Sequence, residues 1–301
     1  LPVMGKVWPA DAVAKNASTS FYGNIVSLSE SPLAEGLLYV GTDDGLVQVS
    51  EDGGKAWRRV ETFPGVPERT YVARLEAGRH DAGVVYATFD NHKNADFTPY
   101  VLRSADRGKS WTSIAGDLPK GEVIYALAED HVDPNLLFTG GEFGAYFTVD
   151  GGAHWIKLTG KMPTISVRDL AIQRRENDLV LGTFGRGFYV LDDYSPLRGL
   201  SKAKLEQESI LFPAKEAYAF IHSSPFGGEG KASLGDAFWT AENPPFGAVF
   251  TYYLKDGLKS KQELRHEAEK EAAKKGTTPP YPSLDELRAE ALEEKPTLVL
   301  T

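Results

Sequence analysis

An eight-residue turn occurs three times in this chain and restricts its fold more than any other feature. It reads SEDGGKAW at 50–57, SADRGKSW at 104–111 and TVDGGAHW at 148–155. The common pattern is Ser/Thr, any residue, Asp, any residue, Gly, two further residues, Trp. Asp52 and Asp106 lie 54 residues apart, and Asp106 and Asp150 lie 44 apart. A degenerate fourth copy, Val190-Leu191-Asp192-Asp193-Tyr194, lacks the Gly and the Trp. Repeats of this period predict an all-β chain of propeller blades, each a four-stranded antiparallel sheet.

The turn residues have separate tasks. Asp52, Asp106 and Asp150 accept hydrogen bonds from backbone N–H groups of their own turns. Gly54, Gly108 and Gly152 suit a positive φ that other residues resist. Trp57, Trp111 and Trp155 open the next strand and are expected to bury their rings between blades.

Alternating apolar residues bounded by Gly and short turns place the strands. The first strands of four blades are expected at 24–29, 70–75, 123–128 and 167–173. The second fall at 37–42, 84–89, 136–140 and 179–183, and the third at 45–50, 100–104, 144–148 and 187–191. In three blades the Trp begins the fourth strand. The outer strand of the fourth blade is expected from 210–212 or 218–221. The blades thus fill 23–221, after an irregular lead-in over 1–22. A Gly/Ser/Pro-rich linker follows over 222–246, then a strand over 247–254. A polar helical insertion spans 258–295, with capping boxes at Ser260/Glu263 and Ser283/Glu286 and a stop at Gly276. Residues 296–301 resume a strand.

Hydrophobic residues make up 42% of the 301, enough for a substantial core. The net charge of −9, with no basic run beside aromatics, argues against a nucleic-acid partner. With no cysteine, disulfides and thiolate chemistry are excluded. No stretch is apolar and long enough for a membrane-spanning helix. The chain opens on Leu1 and closes on the strand-like Leu298-Val299-Leu300-Thr301, and reads as a piece of a longer protein.

The three turns resemble the Asp-box, or BNR repeat. The strings LLYVGTDDGLVQVSEDGGKAW, LLFTGGEFGAYFTVDGGAHW and VRDLAIQRRENDLVLGTFGRGFYVLDD extend the likeness. Together they resemble bacterial sortilin-like BNR-repeat propeller proteins, which are often labelled glycosyl hydrolases. The tail, with NPPFGAVFTYYL and its charged helices, is similar to the β-sandwich that follows those propellers. The resemblance implies a propeller of more than four blades, so the chain would be part of a larger chain or complex. It also implies an extracytoplasmic place, periplasmic or secreted.

Loops joining strands two and three share one end of the blades, at the mouth of the central channel, where propeller ligands gather. The Asp-boxes occupy the other end. The candidate ligand or partner face is therefore Asp43, Asp44, His92, Asp96, Glu142, Phe143 and Arg186. His92 sits in the longest hairpin loop, with Asp96 to orient it. Arg186, between two glycines, suits an anionic group or a salt bridge to Glu142. Arg74, Arg168 and Asp169 lie on innermost strands. No cofactor is expected. Asp43 with Asp44, and Asp130 with Asp133, are the carboxylate pairs that calcium would use, without EF-hand spacing.

A non-catalytic module binding a protein, peptide or glycan, or docking in an assembly, needs no more than this. The alternative is a sialidase-like or other glycoside hydrolase. That needs paired carboxylates, or a Tyr–Glu pair with an arginine cluster. The Arg-Ile-Pro signature of sialidases is absent, and no catalytic residue is assigned.

Overall fold

The structure, a computed structural model, describes residues 7, 23–160, 162–222, 235–237, 243, 245–279, 281–294 and 297. The expected lead-in (apart from Val7), the strand over 296–301 (apart from Thr297) and most of the linker lie outside these residues. The chain forms two units, Leu1–Ser201 and Lys202–Thr301.

The first unit is a succession of antiparallel sheets, one per repeat, and these are propeller blades. Blade one comprises β1 (Ile25–Glu30), β2 (Leu38–Thr42), β3 (Val47–Ser50) and β4 (Arg58–Val60). Blade two comprises β5 (Tyr71–Ala77), β6 (Val85–Asp90), β7 (Tyr100–Ser104) and β8 (Thr112–Ser113). Blade three comprises β9 (Ile124–Glu129), β10 (Leu137–Gly141), β11 (Gly144–Thr148) and β12 (Ile156–Lys157). Blade four comprises β13 (Val167–Gln173), β14 (Asp178–Thr183) and β15 (Phe188–Leu191). Strand order follows sequence in every blade. The expected outer strand of blade four is corrected. β16 (Ser209–Leu211), from the second unit, pairs with β17 (Tyr252–Leu254) instead, and 218–221 forms no strand.

Register explains how the blades stack. Leu28, Leu75, Leu127 and Leu170 occupy the same place on the four inner strands, opposite Val40, Ala87, Thr139 and Leu181. Leu75, Leu127 and Leu170 each enter the core shared with the preceding blade. One step along, Tyr39, Tyr86 and Phe138 point the other way, into the core shared with the following blade. Successive residues of a strand alternate faces, so blades one to three offer an aromatic ring forward, and blades two to four pack leucine backward against it; blade four has Val180 at the forward position. Gly41 and Gly140 let the next inner strand approach closely: a Cβ would stand 2.5 Å from Val72 at the first and 2.7 Å from Val167 at the second. Ser27 and Ser29 accept from the Leu75 and Ala77 N–H groups of blade two.

The Asp-boxes repeat one bonding scheme. Asp106 Oδ1 accepts from the Lys109 and Ser110 N–H groups at 2.9 and 2.8 Å, and Ser104 Oγ accepts from Gly108 N–H. Asp52 and Asp150 do the same for their turns. These donors hold all three carboxyls below the usual range, with the Ala56 N–H foremost at Asp52 and the Ser110 hydroxyl at Asp106. At Asp150 burial opposes them and they win, leaving it at about 2. Gly54, Gly108 and Gly152 have positive φ.

Trp111 packs into the core between blades one and two, edge-on to Phe63. Trp155 enters the core between blades two and three, and its Nε1 donates to Ile114 O at 2.9 Å. Burial of Trp57 is corrected: the ring is 42% exposed. Trp111 and Trp155 each enter the blade before their own, and among the described residues blade one has no blade before it.

A buried carboxylate fastens blade four to blade three. Asp130 accepts from Arg198 Nε and Nη2 at 2.8 Å each, from Tyr194 Oη at 2.6 Å, and from the Val132 and Asp133 N–H groups. Burial raises its pKa, but these donors outweigh it and bring the carboxyl down to about 2.

In the second unit, α1 (Lys202–Leu205) precedes β16, and α2 (Lys261–Lys274) and α3 (Leu284–Ala291) follow β17. Both long helices begin with the expected capping boxes. Arg265 joins them through Glu290. The strand expected over 247–254 is shortened to β17.

Candidate functional site

All four inner strands break register at the same point. The pairing skips Val26, Ala73, Tyr125 and Arg168, each two residues before the repeated leucine. A bulge takes its residue out of the pleat and re-aims it. Three of these residues line one open cleft of about 300 Å³ between the inner strands. Its walls are Tyr71, Ala73, Asp90, His92, Lys93, Tyr125 and Arg168.

The cleft has an ordered polar interior. The Arg168 guanidinium stacks 3.8 Å from the Tyr125 ring centroid and 5.5 Å from that of Phe184. Its Nη2 lies 3.5 Å from Glu142 Oε2, which also accepts from Tyr125 Oη at 2.7 Å. Burial first, and then the Glu142 bond, push the Tyr125 phenol far above its ordinary range. Asp90 holds His92: its two oxygens lie 2.6 and 2.7 Å from Nδ1, and Oδ1 also accepts the His92 N–H. A proton on Nδ1 satisfies this contact. Burial raises the Tyr71 hydroxyl, helped by Asp43 and Asp90.

Of the expected face, His92 lines the cleft and Glu142 supports it. Asp43 accepts from the Asn24 N–H and amide, and Asp44 accepts from Thr42 Oγ1. Both are buried within blade one. Asp96 does not orient His92. It accepts from Asn91, Tyr100 and Thr98, tying its own loop, and these bonds overcome burial to hold it at about 2. The Phe143 N–H donates to Glu122, and its ring is exposed. Arg186 is exposed on its hairpin, and the guanidinium beside Glu142 belongs to Arg168. Arg74 pairs with Asp169, which joins the inner strands of blades two and four. Among the described residues no three His, Asp or Glu side chains are grouped to hold a metal. Asp130 is taken up by Arg198 and Tyr194. Tyr71 and Tyr125 escaped the sequence reading, although the interval to the repeated leucine marks Tyr125.

No family model and no curated protein matches the chain. Solved structures similar to it include YCF48 bound to D1 peptide (14% identity, TM-score 0.44, covering 57% of this chain and 52% of that one). Another is the GH74 xyloglucanase from Xanthomonas campestris (15%, TM-score 0.44, 58% and 30%). A third is the β-propeller domain of Cps50 (Swd1) from Myceliophteria thermophila (16%, TM-score 0.44, 59% and 55%). The matched part spans about half or less of each of these chains.

Proposed function

We propose that the chain is a non-catalytic Asp-box module of the sortilin-like kind. It holds a peptide segment of a partner protein at the channel mouth, as part of a larger extracytoplasmic chain or complex. The observation that carries this reading is the bulge-built cleft, where Tyr125 and Arg168 are stacked and braced by Glu142. Tyrosine and arginine are the side chains most able to anchor a partner, and a braced guanidinium loses little freedom on binding. A cleft of about 300 Å³ suits a few side chains or a short glycan.

Panning a random-peptide library on the intact chain, then titrating the selected peptides by fluorescence anisotropy, tests this. Arg168→Ala should weaken binding about tenfold or more, and Arg107→Ala, at the opposite end, should leave it unchanged. Equal binding by Arg168→Ala overturns the reading.

One observation favours the alternative. Tyr125 Oη donates to Glu142 beside Arg168, the pairing a tyrosine-nucleophile glycosidase uses. Turnover of fluorogenic sialosides or glucosides, abolished by Tyr125→Phe, would establish it in place of the binding module.

A further inference from the structure

Arg168 is held by its faces and not by its edge. The planar guanidinium lies over Tyr125 and towards Phe184, and its ionic neighbour, Glu142 Oε2, stands 3.5 Å away. A stacked guanidinium presents its N–H donors in its own plane. Among the described residues none of these donors closes a hydrogen bond. Elsewhere the chain spends such donors: Arg198 gives them to Asp130 and Asn177, and Arg58 to two backbone carbonyls. The acceptors near Arg168 are already taken. Asp90 receives the ring and N–H of His92, and Glu142 receives the Tyr125 hydroxyl. The cleft walls set Arg168 and Lys93 against the single carboxylate of Asp90. The unspent capacity of the cleft is therefore on the donor side. Room for a partner group comes from Ala73, which holds the position that Tyr125 and Arg168 hold on the next two inner strands. A methyl there leaves open the space that a longer side chain would fill. Two half-exposed rings stand close by in sequence: Phe97, 50% exposed, is on the loop that carries His92 and Lys93, and Phe143, 48% exposed, adjoins Glu142. These rings belong to blades two and three, each of which has a blade on either side. None of the cleft walls comes from blade one, and blade four contributes Arg168 alone, from its inner strand.

We infer that the cleft selects an internal acidic residue of the peptide it holds, an inference that rests on the peptide-binding reading above. The Asp or Glu carboxylate takes the edge of Arg168 in the space over Ala73, and apolar residues on both sides of it rest on Phe97 and Phe143. One guanidinium serves two carboxylates readily, as Arg265 does in this chain for Glu290 and Glu269, so Glu142 keeps its place. Lys93 offsets the added negative charge. Bonds from a guanidinium to a carboxylate are roughly twice as strong as those between neutral groups, and their fork geometry is directional. An amide in the same place accepts at one oxygen only and brings an N–H₂ against donors. Apolar contacts on both sides separate a side-chain carboxylate from a C-terminal one, beyond which no chain continues.

The test uses the peptides panned on the intact chain, resynthesised with acetylated N-termini and amidated C-termini and titrated by fluorescence anisotropy. They should share an Asp or Glu with an apolar residue on each side. Changing that residue to Asn or Gln should weaken binding to the wild type about tenfold or more. The same change should alter binding to Arg168→Ala by less than about twofold, because both substitutions remove one contact. Ala73→Leu fills the space from a position outside the pleat. It should weaken binding about tenfold or more while circular dichroism and urea melting stay those of the wild type. Selected peptides that need Arg168 but carry no acidic residue overturn the inference and leave the peptide reading standing. So does an acidic residue whose amide binds equally well, or loses as much on Arg168→Ala as on the wild type. Peptides that bind only with a free C-terminal carboxylate overturn it in the same way, as does Ala73→Leu binding as tightly as the wild type. A library that yields no binder, or peptides that bind Arg168→Ala as tightly as the wild type, overturn both.

Discussion

Replacing Asp130 by Asn tests the clamp on blade four with little change of shape. The side chain is buried, and Arg198 Nε and Nη2 both bond it. Its carboxyl sits at about 2 in the folded chain, against an ordinary 3.8. That gap corresponds to roughly 2.5 kcal/mol of stability at neutral pH. The amide removes this charge and places an N–H₂ among groups that already donate. Arg198 is then left mostly buried without its partner, and losing one member of a buried pair costs about 3–5 kcal/mol. A loss of about 3 kcal/mol at pH 7 is expected by urea melting. The folded pKa is depressed, so the contribution is complete above about pH 5. It fades as pH falls through 3.8 towards 2. About 1 kcal/mol of it should be gone at pH 3. The difference between wild type and Asp130→Asn should narrow by that amount, since carboxylates elsewhere, in the Asp-boxes for example, cancel in the comparison. A difference below about 1 kcal/mol at pH 7, or one that does not narrow at pH 3, refutes the clamp.

Trp155→Ala should cost roughly 3–5 kcal/mol on urea melting, while Trp57→Ala should cost about 1 or less; comparable losses would contradict the difference in burial between the two rings. Gly140→Ala should destabilise by about 1–3 kcal/mol because its methyl meets Val167, whereas Gly182→Ala at the same register should stay within about 0.5. Asp106→Ala should lower stability by roughly 0.5–2 kcal/mol, as loss of a capping carboxylate does, and leave peptide titration of the folded fraction unchanged. In that titration Arg186→Glu should have less effect than Arg168→Glu, since Arg186 stands outside the cleft; the reverse order would return the site to the loop tips.

The blades were legible because the box fixes where strand three ends, and the apolar alternation then sets the strands on either side of it. Trp57 was misread because burial was inferred from residue type, while burial of a box tryptophan depends on the blade before it. The outer strand of blade four was misplaced for a related reason. Residues 210–212 have a strand-like pattern, but pairing is a long-range choice, and Tyr252–Leu254 took it. The loop reading named His92, which lines the cleft, and Glu142, which bonds Tyr125 beside it, together with Asp43, Asp44 and Asp96, which are not among the cleft walls. Acidic residues at turns are readily taken up by donors of the protein itself, and here Asp43 is held by Asn24, Asp44 by the Thr42 hydroxyl and Asp96 by Asn91, Thr98 and Tyr100. Tyr125 was hidden because a bulge shifts it out of the alternation on which the strand reading relied.

The inner strands carry two independent alphabets. At the position that packs backward, four blades use a single letter, Leu28, Leu75, Leu127 and Leu170. Two residues earlier they use four different ones, Val26, Ala73, Tyr125 and Arg168. A residue released from the pleat can change size and charge without moving the seam next to it, because its side chain takes no part in the layer of leucines and rings. New channel linings can therefore arise one blade at a time at little cost to folding, and the text that specifies the scaffold is kept apart from the text that selects what the channel meets.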